Sequence, residues 1–313
     1  MYSFHRLRRI PVISSAVIFS ALELGCIYAL VALALFLSFR VLNIADMTTD
    51  GSFTLGCAVS ATVALAGHPL LALPAAMAAG ACAGSVTALL QTRLKIPSIL
   101  AGIITNTGLY TVNLAVMGFS SNVNMMRSAT IFTLVQPFFG SFYKLIPAAS
   151  LTILAGCLLV LFLRTRLGLS IRATGDNRDM VRASSINPTF TITIGLCMAN
   201  ALTALSGAMV GQYQKTMDIN GGTGIVVIGL ACLIIGETVL GRRSVRKGIA
   251  AVMVGSVIYR LIYAIVYYTK IVPVEGLKLL TAVIVALAIA SPTIKSWAMF
   301  QRRKAAAGRK GGR

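Results

Sequence analysis

Apolar stretches recur along the chain from residue 12 to residue 292, separated by short polar or basic connections. A helix needs roughly 20 apolar residues to cross a bilayer. That length is met or approached at 12–39, 70–91, 98–119, 145–163, 191–211, 224–240, 249–268 and 277–291. The pattern predicts an all-α, polytopic helical membrane protein with about eight crossings. Segment 53–67 does not fit the count. It is apolar but short, and it follows the polar run Asn43-Ile44-Ala45-Asp46-Met47-Thr48-Thr49-Asp50-Gly51-Ser52. Residues 43–67 read as a broken or re-entrant element, which leaves both termini on one side of the membrane. The organisation is a basic N-terminus (1–11), one transmembrane domain (12–292) with a long basic connection at 164–190, and a basic tail (293–313).

Composition sharpens this. The 313 residues are 57% hydrophobic and 12% charged, about half the charge of a soluble domain. A soluble enzyme, a disulfide scaffold, a disordered tail and a single-anchor protein are thereby excluded. The net charge of +20 comes from 28 Lys and Arg against 8 Asp and Glu. The bases gather at 6–9, 93–95, 164–182, 242–247 and 295–313, between apolar segments. That is the positive-inside pattern of a membrane protein rather than a nucleic-acid surface, and it places these runs in the cytoplasm. Bound to lipid on one side, the tail at 301–313 is a solvated end facing headgroups. Six cysteines stand singly in apolar segments, far from both histidines, and read as small packing residues. No metal or other cofactor is expected. The 12–39 run is too long for a signal peptide and has no A-x-A site, so it reads as a retained first helix.

The polar run at 43–52 is the most informative local feature. Non-helical backbone at membrane depth is tolerated only where protein buries it or where it lines a wet cavity. Carboxylates there are functional candidates. The other reading is an exterior loop in which Asp50 or Ser52 caps the next helix. A second glycine-rich break, Met217-Asp218-Ile219-Asn220-Gly221-Gly222-Thr223-Gly224, repeats the Met and Gly of Met47–Gly51 and has Asn220 where the first has Asp50. Interrupted segments in corresponding halves point to a transport path. The candidate path residues are Asn43, Asp46, Thr48, Thr49, Asp50, Ser52, Asn106 and Asn220. Glu23, Asn106, Asn113, Asn200 and Glu237 are isolated polar groups in helices, and each is expected to face a neighbouring helix or a helix end. Gly80-x-x-x-Gly84 and Gly207-x-x-x-Gly211 suit close helix packing within one subunit.

The connection 164–190 carries a short amphipathic helix signal. Asp176 is placed to cap it, with Asp179 three residues on as the capping-box partner. Asn187-Pro188 stops it and starts the next membrane helix. A short, capped, basic helix at the inner face is built to dock either headgroups or another protein.

Arg172-Ala173, Asn177-Arg178 and Ala183-Ser184-Ser185-Ile186-Asn187-Pro188 resemble the cytoplasmic coupling loop of permeases in bacterial ABC importers of the branched-chain amino acid type. The run from Leu42 through Asp46 and Asp50 to Phe53 is similar to the uncharacterised or tryptophan/tyrosine-type permeases of that group, as is Ala231 with Ile234-Ile235-Gly236-Glu237 before a basic loop. The likeness spans about residues 21–291, and the very basic tail departs from it. The resemblance implies a multi-pass subunit of the bacterial inner membrane, both termini cytoplasmic. It implies a cytoplasmic ABC ATPase docking on Arg172, Asp176, Asn177, Arg178, Asp179, Arg182, Ala183, Ser184 and Ser185. An extracytoplasmic solute-binding protein and a second permease copy, as a homodimer, are the other implied partners. Asp46 and Asp50 would line the path or brace its broken backbone.

What is missing agrees with that division of labour. The stretch Gly236 to Ser244 has phosphate-loop glycine spacing but no Lys, and it sits at a helix end. The chain has no ATPase motif and no catalytic constellation, so it reads as a transport subunit, not an enzyme. The competing expectations are a secondary carrier driven by an ion gradient, with Asp46, Asp50 and Glu23 as coupling carboxylates, and a membrane-embedded enzyme, for which no catalytic cluster is visible.

Overall fold

The computed structural model describes residues 15–241 and 244–269, with isolated helical positions 279, 282, 283, 286 and 290. Within them the regular structure is helical apart from one two-stranded ribbon. The helices are α1 (Ser15–Leu35), α2 (Thr49–Leu65), α3 (Ala72–Thr92), α4 (Ser98–Val116), α5 (Ile131–Phe139), α6 (Leu145–Phe162), α7 (Arg166–Asp176), α8 (Arg178–Ala183), α9 (Pro188–Gln214), α10 (Ile225–Leu240) and α11 (Val245–Thr269). Strands β1 (Asn122–Asn124) and β2 (Thr216–Asp218) pair antiparallel. Six described helices are long and apolar enough to cross a membrane: α1 with its extension, α3, α4, α6, α9 and α11. The expected crossing at 277–291, the N-terminus and the tail lie outside the described residues.

The core forms around α9, 27 residues long, which packs against α2 and α3 and also touches α1. Glycines set the distance. A Cβ at Gly56 would run into the Ala204 carbonyl, one at Gly80 into Asn200, and one at Gly207 into the Phe53 carbonyl. In lipid, helices join by such close packing rather than by hydrophobic exclusion. Both small-residue motifs therefore serve contacts inside this subunit.

The first helix does not stop at Leu35. It runs on as a π-helical turn, Phe36–Val41, with Leu42 N–H donating to the Leu37 carbonyl at 3.0 Å. Asn43, at φ 54°, ends the turn in the left-handed region that Asn tolerates. The break is thus confined to 43–48, and an unbroken 17-residue helix, α2, follows rather than a re-entrant loop. That helix returns to the opposite face. Its Ser60 hydroxyl accepts from Gln212 Nε2 at 3.0 Å, and Gln212 also donates to the Pro69 carbonyl.

This extra pass reverses the direction expected for 12–39. The Arg40 end of α1 lies beside Glu237 and the 166–183 helices, whereas its Ser15 half lies with Tyr213 and Phe142 at the ribbon face. The segment runs toward the face of the 164–190 connection, not away from it. The count changed because 17 residues cover about 25 Å as a helix, and the extended residues ahead of it supply the remaining reach. The two breaks consequently follow helices of opposite sense.

Candidate functional site

The polar run after Asn43 divides into a buried brace and a cleft wall. Asp46, 1% exposed, accepts from Thr48 N–H at 2.9 Å and from Asn200 Nδ2 at 2.7 Å. Asn200 in turn accepts from the Ser52 hydroxyl at 2.6 Å, and the Thr48 and Thr87 hydroxyls meet at 2.7 Å. Thr49 donates to the Asp46 carbonyl at 3.3 Å. Buried polar groups are costly unless paired, and here each hydroxyl and carboxylate oxygen named has a partner. These residues tie the extended backbone to α3 and α9. Asn43 is exposed at the other end of the break, away from the cleft.

Asp50 faces elsewhere. Its two oxygens accept the Gly224 and Val226 N–H groups, each at 2.9 Å, at the first turn of α10. A carboxylate there satisfies amides that the helix cannot and complements its dipole. The second break thus docks on the first. Gly222 permits this, since a Cβ there would strike the Asp50 carbonyl and the Thr54 hydroxyl.

Where they meet, a cleft of about 310 Å³ opens, lined by Asp50, Asn106, Tyr110, Asn113, Asn220 and Thr223 among others. Asn106 lies over Gly51. Asn113 is 2% exposed; its Nδ2 donates to the Gly51 carbonyl at 3.2 Å, while its Oδ1 has no partner among the described residues. The amide cannot be turned round, because the Gly51 carbonyl only accepts. An unpaired acceptor thus remains at a polar cleft in an apolar chain.

The 164–190 connection forms two helices. Asp176 is the last residue of α7 and caps nothing, and Asp179 lies in the first turn of α8, 3.9 Å from Arg182. The cap is Asn177, whose Oδ1 accepts from Asp179 and Met180 N–H at 3.0 Å. The expected capping box was misplaced by one residue. Asn177 is the extended residue between the helices, φ −155° and ψ 108°, the conformation typical of an N-cap, whereas Asp176 is still helical. Asn187 and Pro188 open α9 as expected. Arg172, Asp176, Asn177, Arg178, Asp179, Arg182, Ala183, Ser184 and Ser185 are all exposed, while Ile171, Thr174 and Val181 are buried. α7 sits directly on the end of the first span: Gly175 abuts the Val41 carbonyl, and the Thr174 and Thr191 hydroxyls meet at 2.8 Å. Beside it, Arg40 Nε bonds Glu237 Oε1 at 2.8 Å, in a pocket of about 300 Å³ that Arg172, Asp176 and Ser244 also line.

The family model described as the branched-chain amino acid transport system permease component matches residues 17–290. The chain belongs to that family. This permease is 32% identical over 277 residues to a tyrosine transport system permease protein of Clostridioides difficile (strain R20291), covering 88% of this chain and 90% of that one. It is 29% identical over 281 residues to an uncharacterized protein of Rickettsia prowazekii (strain Madrid E), covering 88% and 97%. A solved metal-chelate type ABC transporter in an inward-facing conformation aligns over 92% of the permease and 91% of that chain, at 15% identity and a TM-score of 0.48. As a permease component the protein is a membrane transport subunit and not an enzyme.

Of the expected path residues, the permease brings Asp50, Asn106 and Asn220 to the cleft and buries Asp46, Thr48, Thr49 and Ser52 beside it. Sequence reasoning missed Tyr110, Thr223 and the place of Asn113 on the cleft. A signal existed: Asn106, Tyr110 and Asn113 recur at helical spacing along one face of α4. The other isolated polar groups behave as expected, with Glu23 accepting from the Tyr213 hydroxyl at 2.8 Å and Glu237 paired to Arg40.

Proposed function

We propose that the permease is the transmembrane subunit of an ATP-driven ABC importer in a bacterial cytoplasmic membrane, and that the Asp50–Asn220 cleft is part of its solute path. The observation that carries the reading is the meeting of two broken backbones at a polar cleft with an unpaired acceptor, Asn113 Oδ1. The solute is an amino acid or a related small molecule, a class the family description and the tyrosine relative both suggest. A cytoplasmic ATPase docks on the exposed face of α7 and α8, an extracytoplasmic binding protein delivers the solute, and a second copy completes the path as a homodimer. In this arrangement the loop face is cytoplasmic, so the Ser15 end of α1 lies toward the outside.

The geometry suggests how the two ends communicate. α10 is 16 residues long, about 24 Å of rigid helix. Its inner end is tied by Glu237 to Arg40, next to α7; its outer end is capped by Asp50 in the cleft. A displacement of α7 by the ATPase bears on Val41 and on the Arg40–Glu237 pair, and α10 delivers it to the cleft. The carrier reading has less support, because both oxygens of Asp46 and of Asp50 are already engaged by protein donors. The test is uptake by the permease reconstituted with its ATPase and solute-binding protein. Thr107→Trp, at an exposed cleft position, should abolish uptake while leaving the ATPase bound. Uptake at the wild-type rate would refute the path.

A further inference from the structure

We propose that the groove between α6 and α11 is a binding site for one anionic phospholipid of the leaflet on the loop face. The inference needs the chain to be a membrane permease; of the functional reading it uses only the cytoplasmic placement of the loop face. The groove encloses about 470 Å³ and is walled by Ile153, Gly156, Cys157 and Val160 from α6 and by Ile249 and Met253 from α11. Both helices are membrane-spanning, and Ile153, Cys157 and Leu161 are exposed, so among the described residues this groove opens toward lipid. Gly156 deepens it: a Cβ there would lie 3.0 Å from Met253 Sδ.

Among the described residues its one charged wall residue, Arg246, lies at the end nearest the loop face. Arg246 is exposed and forms no ion pair among the described residues. Lys247 is its neighbour in sequence, and Arg164 and Arg166 follow α6. The wall from 153 to 161 is about 12 Å long as a helix, close to the roughly 15 Å hydrocarbon depth of one leaflet. An acyl chain fits that length, with its phosphate at the Arg246 end. Basic pockets between spanning helices on the cytoplasmic side suit such headgroups.

A second copy is a poorer occupant. A two-fold contact through this groove would set Arg246 against the partner copy's equivalent cation at the same depth, with no acid among the described groove residues to separate them.

The test uses the intact permease and two probes, phosphatidylglycerol and phosphatidylcholine, in native mass spectrometry. One phosphatidylglycerol should be retained per chain in preference to phosphatidylcholine. Arg246→Gln should reduce that retention about fivefold, and Gly156→Leu should reduce retention of both lipids with Arg246 intact. A photoreactive group on the native Cys157 thiol, in a Cys82→Ala background, should capture phospholipid. Equal retention of the two lipids, indifference to Arg246→Gln, or capture of a second permease copy in place of lipid would overturn the proposal. Uptake plays no part in these readouts, so failure of the transport reading leaves this test standing.

Discussion

Asp46 and Asp50 stand four residues apart in one polar run, yet they do different work. Asp46 is sealed among Thr48, Asn200 and, through Asn200, Ser52, holding an extended backbone between α3 and α9. Asp50 is only partly buried, grips the first turn of α10 and forms a wall of the cleft. Both are carboxylates braced by backbone amides, but only one is placed where a solute could pass. An intramembrane carboxylate is thus a functional candidate only once its second neighbour is known.

The sharpest way to break the contrast is to remove each group. Asp46→Ala leaves the Thr48 amide and Asn200 Nδ2 short of a buried acceptor, a loss of about 3 kcal/mol or more. Thermal unfolding in detergent should drop steeply, and little protein should accumulate in the membrane. Asp50→Asn keeps the shape and one acceptor at the α10 terminus, so destabilisation should stay near 1 kcal/mol. Uptake should fall at least tenfold with the amount of protein unchanged. If Asp50→Asn unfolds the protein as Asp46→Ala does, the two groups are equivalent and the contrast fails.

At the loop face, Asn177→Ala should cost about 1 kcal/mol, since it removes the cap of a six-residue helix. The expected readout is a loss of solute-stimulated ATP hydrolysis at normal membrane content, while Asp176→Ala should leave α8 intact by hydrogen exchange. The smallest effect on stability is expected for Asn113→Ala. It removes an acceptor that has no partner and one bond to a helix carbonyl, worth about 0.5 kcal/mol or less. If uptake nevertheless falls severalfold, the unpaired oxygen serves the solute; unaltered uptake would assign it to packing alone.

Much of this fold was legible because lipid simplifies the rules. Spans of about 20 apolar residues marked α3, α4, α6, α9 and α11, and the caps Asn187-Pro188 placed the start of α9. α2 was not legible as a crossing because its 17 residues, though largely apolar, are short for a span. Its neighbours supply what it lacks: Gly56 and Gly207 bring α9 within backbone contact, and Asn200 and Gln212 answer its hydroxyls. One miscounted pass then reversed α1. At the site, the residue types were readable but not their partners. That Asp50 caps α10, 174 residues away, is a tertiary fact that no local spacing encodes. The capping error was local, and there Asn177 was available to be read as the better cap.

The cleft itself is open to direct measurement. With Cys82 and Cys157 replaced by Ala, Thr107→Cys would present a single exposed thiol on the cleft wall. The permease, reconstituted with its ATPase and solute-binding protein, would be treated with a small membrane-impermeant thiol reagent, and uptake compared before and after complete modification. The account expects uptake to be abolished on modification and the solute to slow the reaction. Full modification with undiminished uptake would place the solute path elsewhere.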